Sequence, residues 1–199
     1  MTHNAHEMTP PTNLAIAYAP LRVRSAFALL LQIDNRLANV LRNSREPMIG
    51  QIKMAWWREA FGQAPHQRPK GEPLLQALTE TDDLIPYTAL EALVLGWEIL
   101  LGSERWNQED IDRHAYLRTE AIFQTFAHWM GSEQNILPIG RLWAMETLRM
   151  AFPERVADSI TLPPAPLPKV RALRPLSILA LSVRTESGLR LVWHALTGH

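Results

Sequence analysis

Between Leu21 and Arg42 the chain runs without a proline or a glycine. Within that run Ala26, Leu29, Leu30, Ile33, Leu37, Val40 and Leu41 recur at intervals of three and four. That spacing places them on one face of a long α-helix. A helix with such a face must bury it against other elements. No stretch of useful length alternates apolar and polar residues as a half-buried strand would, and no internal repeat is present, so those elements are expected to be helices too.

The remaining segments fit this expectation. Residues 1–12 are polar, end in Pro10-Pro11 and read as a loose tail. A short helix is predicted from about Thr12 to a stop before Pro20. Others are predicted at about Ile49–Phe61, Leu74–Glu80, Pro86–Leu101 and Pro138–Phe152. Asn107 is a suitable N-cap, with Glu109 and Asp110 in the first turn, where the helix dipole favours negative charge. That helix should reach about Met130, with a break near Tyr116 and Gly131 as its stop. The prolines from Leu162 to Pro168 make an extended connector. Pro175–Val183 and Ser187–Leu196 should close the fold as a helical hairpin. The expectation is a single all-α domain over residues 13–199.

Length and composition are those of one folded domain: 199 residues, 47% apolar, seven tryptophans. Formal net charge is zero, which gives no case for nucleic acid. The charge is uneven, however. Lys and Arg against Asp and Glu count 9 to 4 in residues 1–70, 3 to 11 in 71–130 and 8 to 5 in 131–199. Either the segments neutralise each other on packing, or one face docks a charged partner or a lipid surface. There is no cysteine, so disulfides and thiolate chemistry are excluded. No secretory signal pattern opens the chain, and no apolar run has transmembrane length. A cytoplasmic protein is expected, with peripheral membrane contact as a further possibility.

One segment is more specific. Glu46-Pro-Met-Ile-Gly-Gln-Ile-Lys-Met-Ala-Trp-Trp-Arg-Glu-Ala60 sets paired tryptophans and Arg58-Glu59 behind a Pro/Gly turn. It resembles the Glu-Pro-x-x-Gly-x-Ile-x-x-x-Trp-Trp-Arg-Asp/Glu signature of squalene/phytoene synthase-like proteins. The resemblance implies an all-helical fold of the isoprenoid-synthase type, here shortened. Active members join two prenyl diphosphates head to head, with Mg²⁺ held by two aspartate-rich motifs. The first would fall at Asp34-Asn-Arg-Leu-Ala38, where the second carboxylate is replaced by Ala38. The second is not recognisable: Asp110 and Asp112 diverge on a helix, and Asp82-Asp83 lies in an expected loop. The implied reading is the degenerate branch that includes a mitochondrial respiratory complex I assembly factor. That makes the chain a pseudoenzyme without metal or other cofactor, binding a prenyl lipid or a protein partner. The alternative is an active, Mg²⁺-dependent prenyl diphosphate transferase of the phytoene or squalene synthase type.

Candidate residues come from both lines. Asp34, at the edge of the apolar stripe, is expected to be a helix-surface residue or to pair with a partner side chain rather than to hold a metal. Glu59 shares a helix face with Ile52, Ala55 and Trp56, the face expected to be buried, and so needs a cation. Arg24 is its expected partner. Tyr18, Trp57, Trp97 and Trp143 are candidate walls of a central cavity beside Arg24, Asp34 and Glu59. The seven histidines show no His-x-x-x-His pair, so no zinc site is expected.

Overall fold

The computed structural model describes residues 8–44, 46–81, 84–157, 160–162 and 164–184. Among these the elements are α1 (Pro10–Tyr18), α2 (Leu21–Asn43), α3 (Pro47–Gly62), α4 (Pro73–Thr81), α5 (Tyr87–Glu98), α6 (Gln108–Arg118), α7 (Thr125–Trp129), α8 (Leu137–Ala151) and α9 (Arg174–Ser182). A π-helical segment, Thr119–Gln124, joins α6 to α7 without interruption. No strand occurs among the described residues; two residues, Trp106 and Val156, form a lone bridge. The expected helix at Ser187–Leu196 and the Asp82-Asp83 loop lie outside the described residues.

Each boundary has a local cause. Helix α1 starts two residues before Thr12 because Pro10 and Pro11 occupy its first turn, where a missing N–H costs nothing. Asn107 and Asp110 cap α6 reciprocally. At the end of α7, Gly131 turns left-handed with φ +61°. Its N–H bonds the His128 carbonyl and that of Ser132 bonds Ala127, a Schellman stop that glycine adopts without strain.

Helix α2 runs through the centre. Its buried row, including Phe27, Leu30, Ile33 and Leu37, packs on α3, α4, α5 and the π segment. Helix α8 packs on α6, and α1 packs on α9. Arginines of the terminal segments bind acids of the middle one: Arg36 with Glu72, Arg58 with Glu98, and Arg141 with Asp112. The uneven charge is to that extent neutralised within the fold.

One helical phase differs from expectation. Helix α3 buries Gly50, Met54, Trp57, Ala60 and Phe61, and leaves Ile52 and Trp56 60% and 40% exposed. Glu59 is exposed as well. Both faces of α3 are apolar, so hydrophobic spacing alone cannot choose between them. Gly50 decides: a Cβ there would collide with the Leu101 side chain, so this is the side that approaches closely. Arg24 does not meet Glu59. Its guanidinium donates to the carbonyls of Ala17 and Ala19, at 2.8 and 2.9–3.1 Å, closing the C-terminal end of α1.

Candidate functional site

The polar centre of the molecule is a buried cluster drawn from four helices. Asp34 of α2 and Arg118 of α6 are 5% and 3% exposed. Each lies in a row that is otherwise apolar or neutral: Leu30, Ile33 and Leu37 about Asp34, and Ile111, His114 and Ala115 before Arg118. They meet in a two-pronged ion pair, Nε to Oδ1 at 2.9 Å and Nη2 to Oδ2 at 2.6 Å. The Trp97 indole of α5 donates to Oδ1 at 2.8 Å. The remaining nitrogen, Nη1, donates to the Ala144 carbonyl and to Thr147 Oγ1 on α8, at 3.1 and 3.0 Å. Every nitrogen of the guanidinium thus has an acceptor, and both carboxylate oxygens have donors. Such full pairing is what a buried charge requires.

Aromatic faces enclose the cation. Its central carbon lies 4.9 Å from the Trp97 ring centre and 4.4 Å from that of Trp143, within cation–π range. His114, one turn before Arg118, packs edge-on against Trp97 with ring centres 4.5 Å apart. Its Nδ1 donates to the Gly96 carbonyl at 2.7 Å, since a carbonyl can only accept, and Nε2 is then the unprotonated nitrogen. Burial, and after it the Arg118 charge, holds the His114 pKa well below the ordinary value, against the opposing pull of the Gly96 hydrogen bond. The imidazole is neutral at neutral pH.

The chain leaves α6 at Arg118 directly into the π-helical segment. There Thr119 turns its hydroxyl back to the Ala115 carbonyl at 2.7 Å, and α8 comes so close that Gly140 has no room for a side chain. A π turn inserted in an α-helix shifts the phase of the turns beyond it and is frequent at functional sites.

Of the residues marked in the sequence, Asp34, Trp97 and Trp143 come together around Arg118. Tyr18, at the end of α1, is 37% exposed. Trp57 is buried under α3 beside a surface groove of about 480 Å³ between α2 and α3, together with Arg36, Val40 and Trp56. A cleft of about 690 Å³ opens elsewhere, between α5 and the π segment, with Ala92, Leu117, Glu120 and His128 among its walls. Neither is lined by Asp34, Trp97 or Trp143. Arg118 and His114 were missed by the sequence reading. The available signal was Arg118 itself, a cation in line with Ile111 and Ala115, which once buried demands a carboxylate; Asp34 is that carboxylate.

Magnesium does not fit this arrangement. It requires near-octahedral oxygen ligation, and the Asp34 oxygens are held by Arg118 and Trp97, with an alanine four residues on. No group of three or more His, Asp or Glu residues able to hold a metal occurs among the described residues.

An all-α domain with one long central helix, its inward carboxylate facing aromatic walls, is consistent with the isoprenoid-synthase fold type. Residues 9–144 match the squalene/phytoene synthase family, and the chain belongs to that family. Neither a curated protein nor a solved structure matches it.

Proposed function

We propose that this member of the family does not catalyse prenyl transfer and serves as a binding scaffold, holding a prenyl lipid or an assembling protein partner. The role is of the kind implied by its resemblance to the branch with the complex I assembly factor. The observation that carries the reading is the engagement of Asp34. Prenyl transfer of this type needs Mg²⁺ to take up the charge developing on the leaving diphosphate, and carboxylates to hold the metal. Here the one carboxylate at the first motif binds an internal cation instead. Ala38, where its companion would stand, is buried. Recruiting Asp34 to a metal would strand the Arg118 guanidinium among Trp97 and Trp143, and a buried charge deprived of its partner costs about 3–5 kcal/mol.

Ligand binding to the native state raises the thermal midpoint, which supplies a test. Farnesyl diphosphate should shift the midpoint equally with and without Mg²⁺. A part of the shift that appears only with Mg²⁺, and disappears in Asp34→Asn, would contradict the reading.

A further inference from the structure

The cleft of about 690 Å³ between α5 and the π segment has the volume of a small-molecule site. It exists because α5 presents Thr88, Ala89 and Ala92 there, side chains too short to fill the space. Tyr116, Glu120, Gln124 and His128 line the other wall. On an uninterrupted α-helix, residues twelve apart would point about 120° away from each other. Hydrogen bonds of a π turn span five residues instead of four. The segment Thr119–Gln124 thereby takes back most of that rotation, and Tyr116 and His128 share one wall. Trp129 closes the end. Its indole donates to the Leu84 carbonyl at 2.8 Å, and its own carbonyl accepts from Arg22 at 2.6 Å, so the ring is anchored.

Charge points to the ligand. Of the acids in the middle segment, Glu72, Glu98 and Asp112 are taken up by arginines. Glu120 is half-buried in the cleft wall, and no basic side chain pairs with it among the described residues. Arg113 of α6 lines an adjoining hollow and not this cleft. A carboxylate held partly out of water without a cation is costly, and a cationic ligand relieves that cost through charge-assisted hydrogen bonds. The ring faces of Tyr116 and Trp129 favour a cation too. Pro86, Leu117 and the two alanines offer apolar surface to an uncharged body. We propose that this cleft binds a small organic cation, an ammonium group carried on an apolar body, with Glu120 as its counter-ion. Twelve residues line the cleft, against roughly 20–30 a side in a stable protein–protein interface, so its occupant is a small molecule. A prenyl diphosphate has the opposite charge and is repelled by Glu120, which makes this a site for a second class of ligand.

The probes are phenylbutylamine, phenylbutanol and phenylbutyrate, one apolar body carrying an ammonium, a hydroxyl or a carboxylate. In isothermal titration calorimetry of the full chain at neutral pH, the amine should bind about tenfold more tightly than the alcohol, and the acid should not bind. Glu120→Gln should bring the amine down to the affinity of the alcohol. Ala92→Leu fills the cleft from the α5 side and should weaken both. Glu59→Gln, which removes an exposed carboxylate of α3, should bind all three compounds like the parent. Glu120 and Ala92 are only half-buried, so these variants should keep the parental circular dichroism and thermal midpoint. No binding of the amine at millimolar concentration, equal affinity for amine and alcohol, or an unchanged affinity for the amine in Glu120→Gln would each overturn the proposal. The titrations contain neither prenyl substrate nor Mg²⁺, so their failure would leave the reading of the buried cluster untouched.

Discussion

Arg118 and Asp34 illustrate how one buried pair organises its neighbours. The carboxylate accepts from Arg118 and Trp97, and the guanidinium donates onward to Ala144 and Thr147. Four helices are thereby fixed to one charge centre. Arg118→Met alone leaves the Asp34 charge without its cation and should destabilise the protein by about 3–5 kcal/mol in urea unfolding. Asp34→Leu combined with Arg118→Met removes both charges and should recover most of that loss. Destabilisation of the double variant equal to the sum of the single ones would show the pair to be uncoupled. His114 adds a pH dependence of defined sign. Its pKa in the folded protein lies below the ordinary value of 6.5, so the unfolded chain takes up the proton first as pH falls. The stability from keeping His114 neutral is therefore complete above about pH 6.5 and is lost below it, with a slope of about 1.4 kcal/mol per pH unit. His114→Gln should remove that part of the slope between pH 6.5 and 5. Identical slopes in the two proteins would contradict the assignment.

Elements are held in register by close approach as much as by burial. At the crossing of α8 with the π segment, a Cβ on Gly140 would overlap the Thr119 methyl and come within 3.0 Å of the Phe123 ring. Thr119 is buried and its hydroxyl is bound to Ala115, so it cannot easily turn away. Gly140→Ala should cost about 1–3 kcal/mol, the usual range for overpacking, readable as a fall in the thermal midpoint; an unchanged midpoint would show that the helices separate freely there. The same contrast explains what was legible beforehand. Helix ends could be read from the sequence where they are written locally, as at Asn107 and Gly131, whereas Pro10-Pro11, assigned to the tail, form the first turn of α1. The bare face of α3 could not, since Ile52 with Trp56 and Met54 with Trp57 make equally apolar rows. The choice between them rests on the fit of Gly50 to Leu101, a contact between distant segments. The central cluster was half legible: Asp34, Trp97 and Trp143 could be singled out as residue types, but their common partner Arg118 is brought to them by the packing of α6 against α5 and α8, contacts between distant segments. The break expected near Tyr116 is a π turn that begins at Thr119 and leaves the helix continuous.

At the scale of the whole molecule, the all-α fold carries at its centre a buried pair of carboxylate and guanidinium. The long central helix offers Asp34 to an arginine between two indoles and Ala38 to the core. Arginines of the terminal segments close on acids of the middle one, so the fold is also drawn together by charge. Restoring one ligand by Ala38→Asp should not create activity, because Asp34 would remain bound to Arg118 and Trp97. The most direct measurement is diphosphate release from farnesyl and geranylgeranyl diphosphate by the unmodified protein in the presence of Mg²⁺. The expected result is no release above a heat-inactivated control, at any Mg²⁺ concentration. Mg²⁺-dependent release of diphosphate with formation of a joined prenyl product would contradict it.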